Sequence, residues 1–181
     1  MSTRLLAGWL SLLAACGAPA AAEPWLLIDS EQGTLAVMEE DRALQVFQNI
    51  AVGRGGVASH RRMGDGKTPR GEFHIAWVNP ASAYHLFFGL DYPAPEQVEE
   101  AYRRRLIDTD SYRRLRRAQR FGELPPQDTA LGGYIGIHGV GELNAGVNPR
   151  YNWTQGCIAL SDDEIDRLAR WAAVGTRVII R

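Results

Sequence analysis

Cysteine is almost missing from this chain: Cys16 and Cys157 are the only two. If the first is lost with a leader, no disulfide framework can form, and the fold must rest on a hydrophobic core. Long hydrophobic runs are missing too. The apolar run at residues 5–15 spans about eleven positions, against the roughly twenty that a bilayer-spanning helix needs. There is no excess of one charge, since the formal net charge is −1 and the pI near 6.4, which gives no global case for nucleic acid. The 4 histidines share no helical spacing and sit with no acidic pair, so neither a metal nor a cofactor is expected. The glycines of residues 53–71 are scattered, and Gly66-Lys67-Thr68 has Arg61 where the Gly-x4-Gly-Lys-Ser/Thr spacing of a phosphate loop needs glycine, so the stretch does not read as one.

What is present begins with a leader. Residues 1–22 combine an early charge at Arg4, the short apolar run and a series of small residues, the pattern of an export signal. Leu13-Ala14-Ala15-Cys16 also resembles a lipobox, in which Cys16 would be lipidated and tether the chain to a membrane; cleavage after Ala20 or Ala22 would discard it instead. Both outcomes leave Cys157 as the sole free thiol of an exported chain. A single thiol in an oxidising compartment points to reactivity. Residues 23–181, about 160 positions, suit one domain with a proper core.

The stretch 135–160, IGIHGVGELNAGVNPRYNWTQGCIAL, places a histidine and a glycine-flanked cysteine a short distance apart. A thiol becomes a strong nucleophile as the thiolate, which requires a neighbour that lowers its pKa or takes its proton; His138 is the candidate. Residues 134–138 and 157–160 read as two short buried strands, and adjacent strands would bring imidazole and sulfur together. Gly156 allows a tight turn whose amides, those of Gly156 and Cys157, would face a developing oxyanion. The blander account makes Cys157 a buried apolar residue and His138 a satisfied strand-end histidine.

These residues resemble the L,D-transpeptidases, or YkuD-like catalytic domains, of bacterial cell-wall metabolism. The family motif of His-Gly, a spacer, then Ser/Thr-His-Gly-Cys is met by His138-Gly139 and Thr154-Gln155-Gly156-Cys157. The upstream Thr68-Pro69-Arg70-Gly71-Glu72-Phe73-His74-Ile75 and the closing Gly175-Thr176-Arg177-Val178-Ile179-Ile180 also match. Gln155 replaces a second histidine and Ala159 an arginine; a subgroup with Trp-Thr-x-Gly-Cys-Ile-Ala-Leu is the nearer likeness, and Trp153 fits it. The resemblance implies a mainly β (α+β) sandwich with a helical insertion at about 93–127 and a helix after the nucleophile strand. It also implies a catalytic base at His138, oriented by the Gly139 carbonyl, and acyl transfer from peptidoglycan stem peptides. Tyr134, Arg150, Trp153, Thr154 and Gln155 are candidates for the substrate wall. Two alternatives use the same residues: a peptidoglycan hydrolase with the Cys-His site, and a non-catalytic envelope-binding module in which Gln155 and Ala159 mark a decayed site. A reactive thiol at Cys157 of lowered pKa separates the module from the enzymes.

In the rest of the chain, residues 24–29, 34–38 and 43–52 alternate as an antiparallel meander, with 72–79 a further strand. Residues 53–71 read as a flexible loop forming a rim, with Arg61, Arg62 and Lys67 near the site. Residues 95–106 and 110–121 read as helices. Eight arginines against two aspartates between Arg103 and Arg120 suggest a basic flap facing carboxylates or an anionic envelope surface. Ser161 and Glu164 form a capping-box pattern ahead of a helix with Ile165, Leu168 and Ala172 on one face, and 176–181 closes the sheet. His60, His74 and His85 receive no catalytic role.

Overall fold

The computed structural model describes residues 22–142, 146 and 151–181. Residues 1–21 of the leader, with Cys16, and Arg150 lie outside them. Three strands open the chain, β1 (Trp25–Asp29), β2 (Thr34–Glu39) and β3 (Arg42–Gln48), paired antiparallel as a meander. Alternation decides the register: Leu26 and Ile28 of β1 face Val37 and Leu35 of β2, and all four are fully buried. The third strand stops short of its expected end because Asn49 takes a positive φ of 57°.

β4 (Val57–Ala58) and β5 (Thr68–Pro69) form a small parallel pair, then β6 (Gly71–Ser82) and β7 (His85–Leu90) a long hairpin. After α1 (Pro95–Arg103) and α2 (Thr109–Phe121) come β8 (Gly136–His138), β9 (Ile158–Ala159), α3 (Asp162–Leu168) and β10 (Arg177–Ile180). The main sheet has 8 strands in the order β3-β2-β1-β10-β6-β7-β8-β9 and is mixed, since β1–β10 and β8–β9 are parallel. The architecture is mainly β with three helices among the described residues, an α+β fold.

The two halves of this sheet share β6. Its start pairs with β10, Phe73 opposite Val178, and its later part with β7, Val78 opposite Phe88; an irregularity between Ile75 and Trp77 lets the strand bend between them. Bridges Ala51↔Ala159 and Gly53↔Thr154 then join the chain after β3 to the far edge at β9. The sheet thus curls around one core that includes Phe47, Phe73, Ile75, Phe88, Leu90, Ile137 and Ile158, all buried. Curling brings residues 51–54, 134–138 and 152–159, far apart in sequence, to one place.

The expected flexible loop at 53–71 is instead tightly bonded. Gly53 N donates to Thr68 Oγ1 at 2.8 Å, Gly55 N to Gly66 O at 2.9 Å, and Arg70 N to Ala58 O at 2.9 Å. Arg61 is no rim residue: it is 7% exposed, with its guanidinium 5.3 Å from the Tyr92 ring centroid. The helical pair docks on the core through Val98, Ala101, Leu115 and Ala118. Asp108 caps α2 by accepting from Ser111 N at 2.7 Å, and Gly122 ends it in the left-handed conformation. The expected capping box of Ser161 and Glu164 is present at the start of α3. The Glu164 carboxylate accepts from both Ser161 N (3.1 Å) and the Ser161 hydroxyl (2.8 Å), and the helix ends at Leu168, before Ala172. His85 Nε2 meets Asp166 at 2.9 Å, tying β7 to α3, and this partner raises the histidine's pKa.

Candidate active site

A cavity of about 640 Å³ opens beside β8, lined by Trp77, Asn79, Tyr84, Phe87, Gly133, Tyr134, Ile135, His138, Trp153, Thr154, Gln155 and Cys157. It gathers His138 and Cys157, together with every expected wall residue except Arg150, which is outside the described residues. Strand pairing does this: β8 and β9 lie side by side with Ile137 opposite Ile158 and His138 opposite Ala159. Cys157 is the residue just before β9. It is half-buried and the only free cysteine among the described residues.

His138 is 2% exposed. Its Nδ1 lies 2.5 Å from the carbonyl oxygen of Gly139, and a carbonyl only accepts, so Nδ1 carries the proton and Nε2 the lone pair. The ring is boxed by aromatics. Tyr84 lies 4.4 Å away between centroids; Phe87, its cross-strand partner on β7, is stacked at 6.0 Å, and Trp153 stands edge-on at 6.0 Å. Burial lowers the His138 pKa, opposed by the Gly139 bond and by the charge of Asp162. Asp162 Oδ1 also accepts from Gly141 N at 3.0 Å, which pins the turn that follows His138. Gly139 has no room for a side chain, as a Cβ there would run into Asp162 Oδ1 and Tyr84 O.

The thiol lacks the lowered pKa that the sequence reading uses to separate the enzymes from a binding module, so of its two routes to a reactive sulfur only the neighbour that takes the proton remains. Enclosure of the sulfur pushes its pKa up to about 11; a backbone hydrogen bond from Gly136 and the charge of Arg61 oppose that rise without cancelling it. Sγ donates to the carbonyl of Tyr134 at 3.3 Å, a bond that suits the thiol and not the thiolate. The resting pair is therefore neutral thiol and neutral imidazole.

Two expected roles change in the turn before β9. Thr154, expected as a wall residue, is 4% exposed, and its hydroxyl accepts from Gly156 N at 3.1 Å while donating to Cys157 O at 2.7 Å. The Gly156 amide, expected to face an oxyanion, is thereby occupied. Thr154 is held in turn by Val52 and Arg54: Thr154 N donates to Val52 O at 3.3 Å and Arg54 N to Thr154 O at 3.0 Å. Thr154→Val would leave the Gly156 donor and the Cys157 acceptor unpaired in a buried place, and is expected to cost about 1–3 kcal/mol. Thermal unfolding reads this as a lowered midpoint; an unchanged midpoint would show that the turn stands without the hydroxyl.

The basic flap is also revised. The cavity is lined by no residue of α1 or α2. Several of their arginines pair locally instead: Arg114 with Asp128 at 2.9 Å, Arg116 with Glu99 at 3.1 Å, and Arg103 with Glu100. Arg62 and Lys67 do not line the cavity either. Sequence reasoning missed Trp77, Asn79, Tyr84 and Phe87 on β6, β7 and the turn between them. Only the β7–β8 register, Phe87 opposite His138, marks them.

A curled mixed sheet with a free thiol and a tautomer-fixed imidazole in one cleft defines a mainly β catalytic-domain class. Within that class, residues 23–180 match the family model YkuD, the L,D-transpeptidase catalytic domain, and the chain belongs to that family. No curated protein matches. Similar solved structures include the helical cell shape determining protein Pgp2 from Campylobacter jejuni, 22% identical with a TM-score of 0.58, covering 88% of this chain and 47% of that one. Bd1075 from Bdellovibrio bacteriovorus is 21% identical with a TM-score of 0.56, covering 91% of this chain and 49% of that one. An L,D-transpeptidase from Enterococcus faecium is 11% identical with a TM-score of 0.50, covering 89% and 50%. The chain thus spans about half the length of these proteins, and at such identities the likeness is one of fold.

Proposed function

We propose that this protein is a cysteine acyltransferase that cross-links peptidoglycan, an L,D-transpeptidase with Cys157 as nucleophile and His138 as base. The observation that carries the reading is the Gly139 carbonyl at 2.5 Å from His138 Nδ1, which reserves Nε2 for proton transfer in the cavity that holds Cys157. Donor binding would turn Sγ–H from the Tyr134 carbonyl toward Nε2. As the proton moves to Nε2, sulfur attacks the carbonyl carbon of the third stem residue. The amide C–N bond breaks, the nitrogen of the terminal D-alanine takes the proton from His138, and a thioester remains on Cys157. With the Gly156 amide bound to Thr154, the oxyanion is assigned to the amide of Cys157. An amine of a second stem then displaces the thiolate, which recovers its proton through His138.

A neutral resting pair favours this order of events. A permanent thiolate at the base of an enclosed cleft would be costly, whereas a proton that leaves only as the C–S bond forms spreads the charge onto the oxyanion. The leader reading places the reaction outside the cytoplasm, with residues 23–181 as its catalytic domain; a lipid tether at Cys16 belongs to the same proposal. No helix among the described residues is long and apolar enough to cross a membrane.

The test is mass spectrometry of the purified protein and its Cys157→Ala variant after incubation with disaccharide-tetrapeptide. A cross-linked dimer absent from the variant is the expected result. A shortened stem alone would make water the acceptor and the protein a hydrolase. If neither product nor thioester adduct forms, either the donor is wrong or the protein is a binding module, and labelling of Cys157 decides which.

A further inference from the structure

Among the described residues two buried charges, Asp29 and Arg61, lie outside the reaction above; Asp29 is satisfied by Arg181 and by the amides of Glu31 and Gln32, whereas Arg61 is not. Arg61 is 7% exposed, and its Nε and Nη1 have no hydrogen-bond partner. The nearest carboxylate oxygen, Asp65 Oδ1, is 3.9 Å from Nε, too far for a hydrogen bond, and that oxygen already accepts from Lys67 N at 2.9 Å. Tyr92 covers one side of the guanidinium. The void lined by Arg61, Tyr92, Leu106 and Leu131 is only about 10 Å³, room for a single water at most, so no anion fits there. A buried guanidinium without a close counter-ion keeps a long-ranged field, because little around it screens the charge.

The guanidinium lies close to the segment that holds the nucleophile's hydrogen-bond partner. A Cβ on Gly132 would lie 3.3 Å from Arg61 Nη2, so the guanidinium lies beside Gly132. The same segment supplies the Tyr134 carbonyl that accepts from Cys157 Sγ. We propose that Arg61 is a positioning cation for Cys157, favouring negative charge on the sulfur from its place beside Gly132 without touching substrate. It thereby serves where Ala159, beside the nucleophile, offers no cation. The proposal rests on Cys157 being the reactive thiol, but not on which acceptor it serves.

The groups around the pair are few. His138, Tyr134 and the Gly136 amide face the sulfur, and Asp162 acts on His138. Asp65 and Tyr92 face Arg61, while His60, Arg62, Lys67 and Arg104 surround it on a surface groove of about 300 Å³. Salt screens the exposed cations of that groove and leaves the buried one largely unscreened.

The experiment is the pH dependence of iodoacetamide alkylation of the full chain, with Cys157→Ala as the blank that removes any reaction at Cys16. It needs no peptidoglycan substrate, so its failure is distinct from failure of the transpeptidase reading. Arg61→Met is expected to move the profile about one unit to higher pH and to slow alkylation about tenfold near pH 8, while Arg61→Lys keeps most of the parental rate. Asp65→Asn, which removes the charge that partly offsets Arg61, is expected to speed alkylation at the same pH. The Arg61→Met shift is expected to persist at about 1 M salt. A folded Arg61→Met with an unmoved profile would overturn the proposal, as would a shift that vanishes in high salt. If Arg61→Met does not fold, Asp65→Asn decides alone: an unchanged or slower rate refutes the role.

Discussion

His138→Gln is expected to lower kcat/KM by about 10²–10⁴-fold, the usual worth of a positioned general base. Cys157→Ala is expected to abolish turnover entirely. Glutamine fills much of the imidazole's space but cannot take the proton from sulfur. His138 also sets the pH dependence. Burial holds the His138 pKa below its ordinary 6.5, so the neutral, proton-accepting form already dominates at neutral pH. Activity should therefore rise as pH climbs through a value under 6.5 and then level off. His138→Gln should lose that acid limb and respond instead to direct ionisation of the thiol, whose pKa of about 11 puts the rise far to the alkaline side. A parent enzyme whose rate climbs steadily with pH past neutrality would show that His138 is not the base. Fold stability follows the same sign: a histidine kept neutral by burial contributes stability above the unfolded pKa, and this is lost as pH falls from about 6.5 through the folded value.

Gly156→Ala should be nearly as damaging, and for a purely steric reason. Gly156 has φ of 128°, a conformation that side chains rarely adopt, and a Cβ there would sit 2.5 Å from Lys67 O. The strained backbone costs about 1–3 kcal/mol. Relieving the clash costs about as much again, because the turn must move away from residues 66–68. Cys157 is the next residue, and a displacement of about 1 Å at a nucleophile is worth on the order of a hundredfold in rate. Thermal unfolding and kcat measured together check this. A fall in the thermal midpoint with full activity would mean that the turn relaxes without carrying the sulfur along. Thr154→Val acts on the same turn by removing its staple, so the two substitutions should be less than additive when combined.

Much of the architecture was legible because local rules and the global fold agree. The 24–48 meander follows from alternation alone, and Leu26, Ile28, Leu35 and Val37 lie buried where the pattern puts them. The two insertion helices and α3 announce themselves by Pro95, Asp108 and Ser161 at their starts. Discrepancies gather where a backbone leaves its ordinary region. Asn49 and Tyr134, both with positive φ, shorten strands that propensity would have continued. The insertion's arginines are conspicuous in sequence, yet several are spent on Asp128, Glu99 and Glu100 and none lines the cleft.

The sequence by itself determined that one histidine and one lone cysteine, each beside a glycine, would sit at the ends of short buried strands in a mainly β domain. Those facts depend on neighbours along the chain: glycine at a tight turn, apolar residues entering a strand, and a spacing that matches a family motif. What only the tertiary structure decided was the state of those groups. Curling of the sheet packs Tyr84 and Phe87 around His138, encloses the Cys157 sulfur, spends the Gly156 amide on Thr154, and buries Arg61 beside Gly132. Proton affinity depends on everything within several ångströms of a group, most of it distant in sequence. The candidate residues were therefore readable in one dimension, and the protonation state of their groups required three.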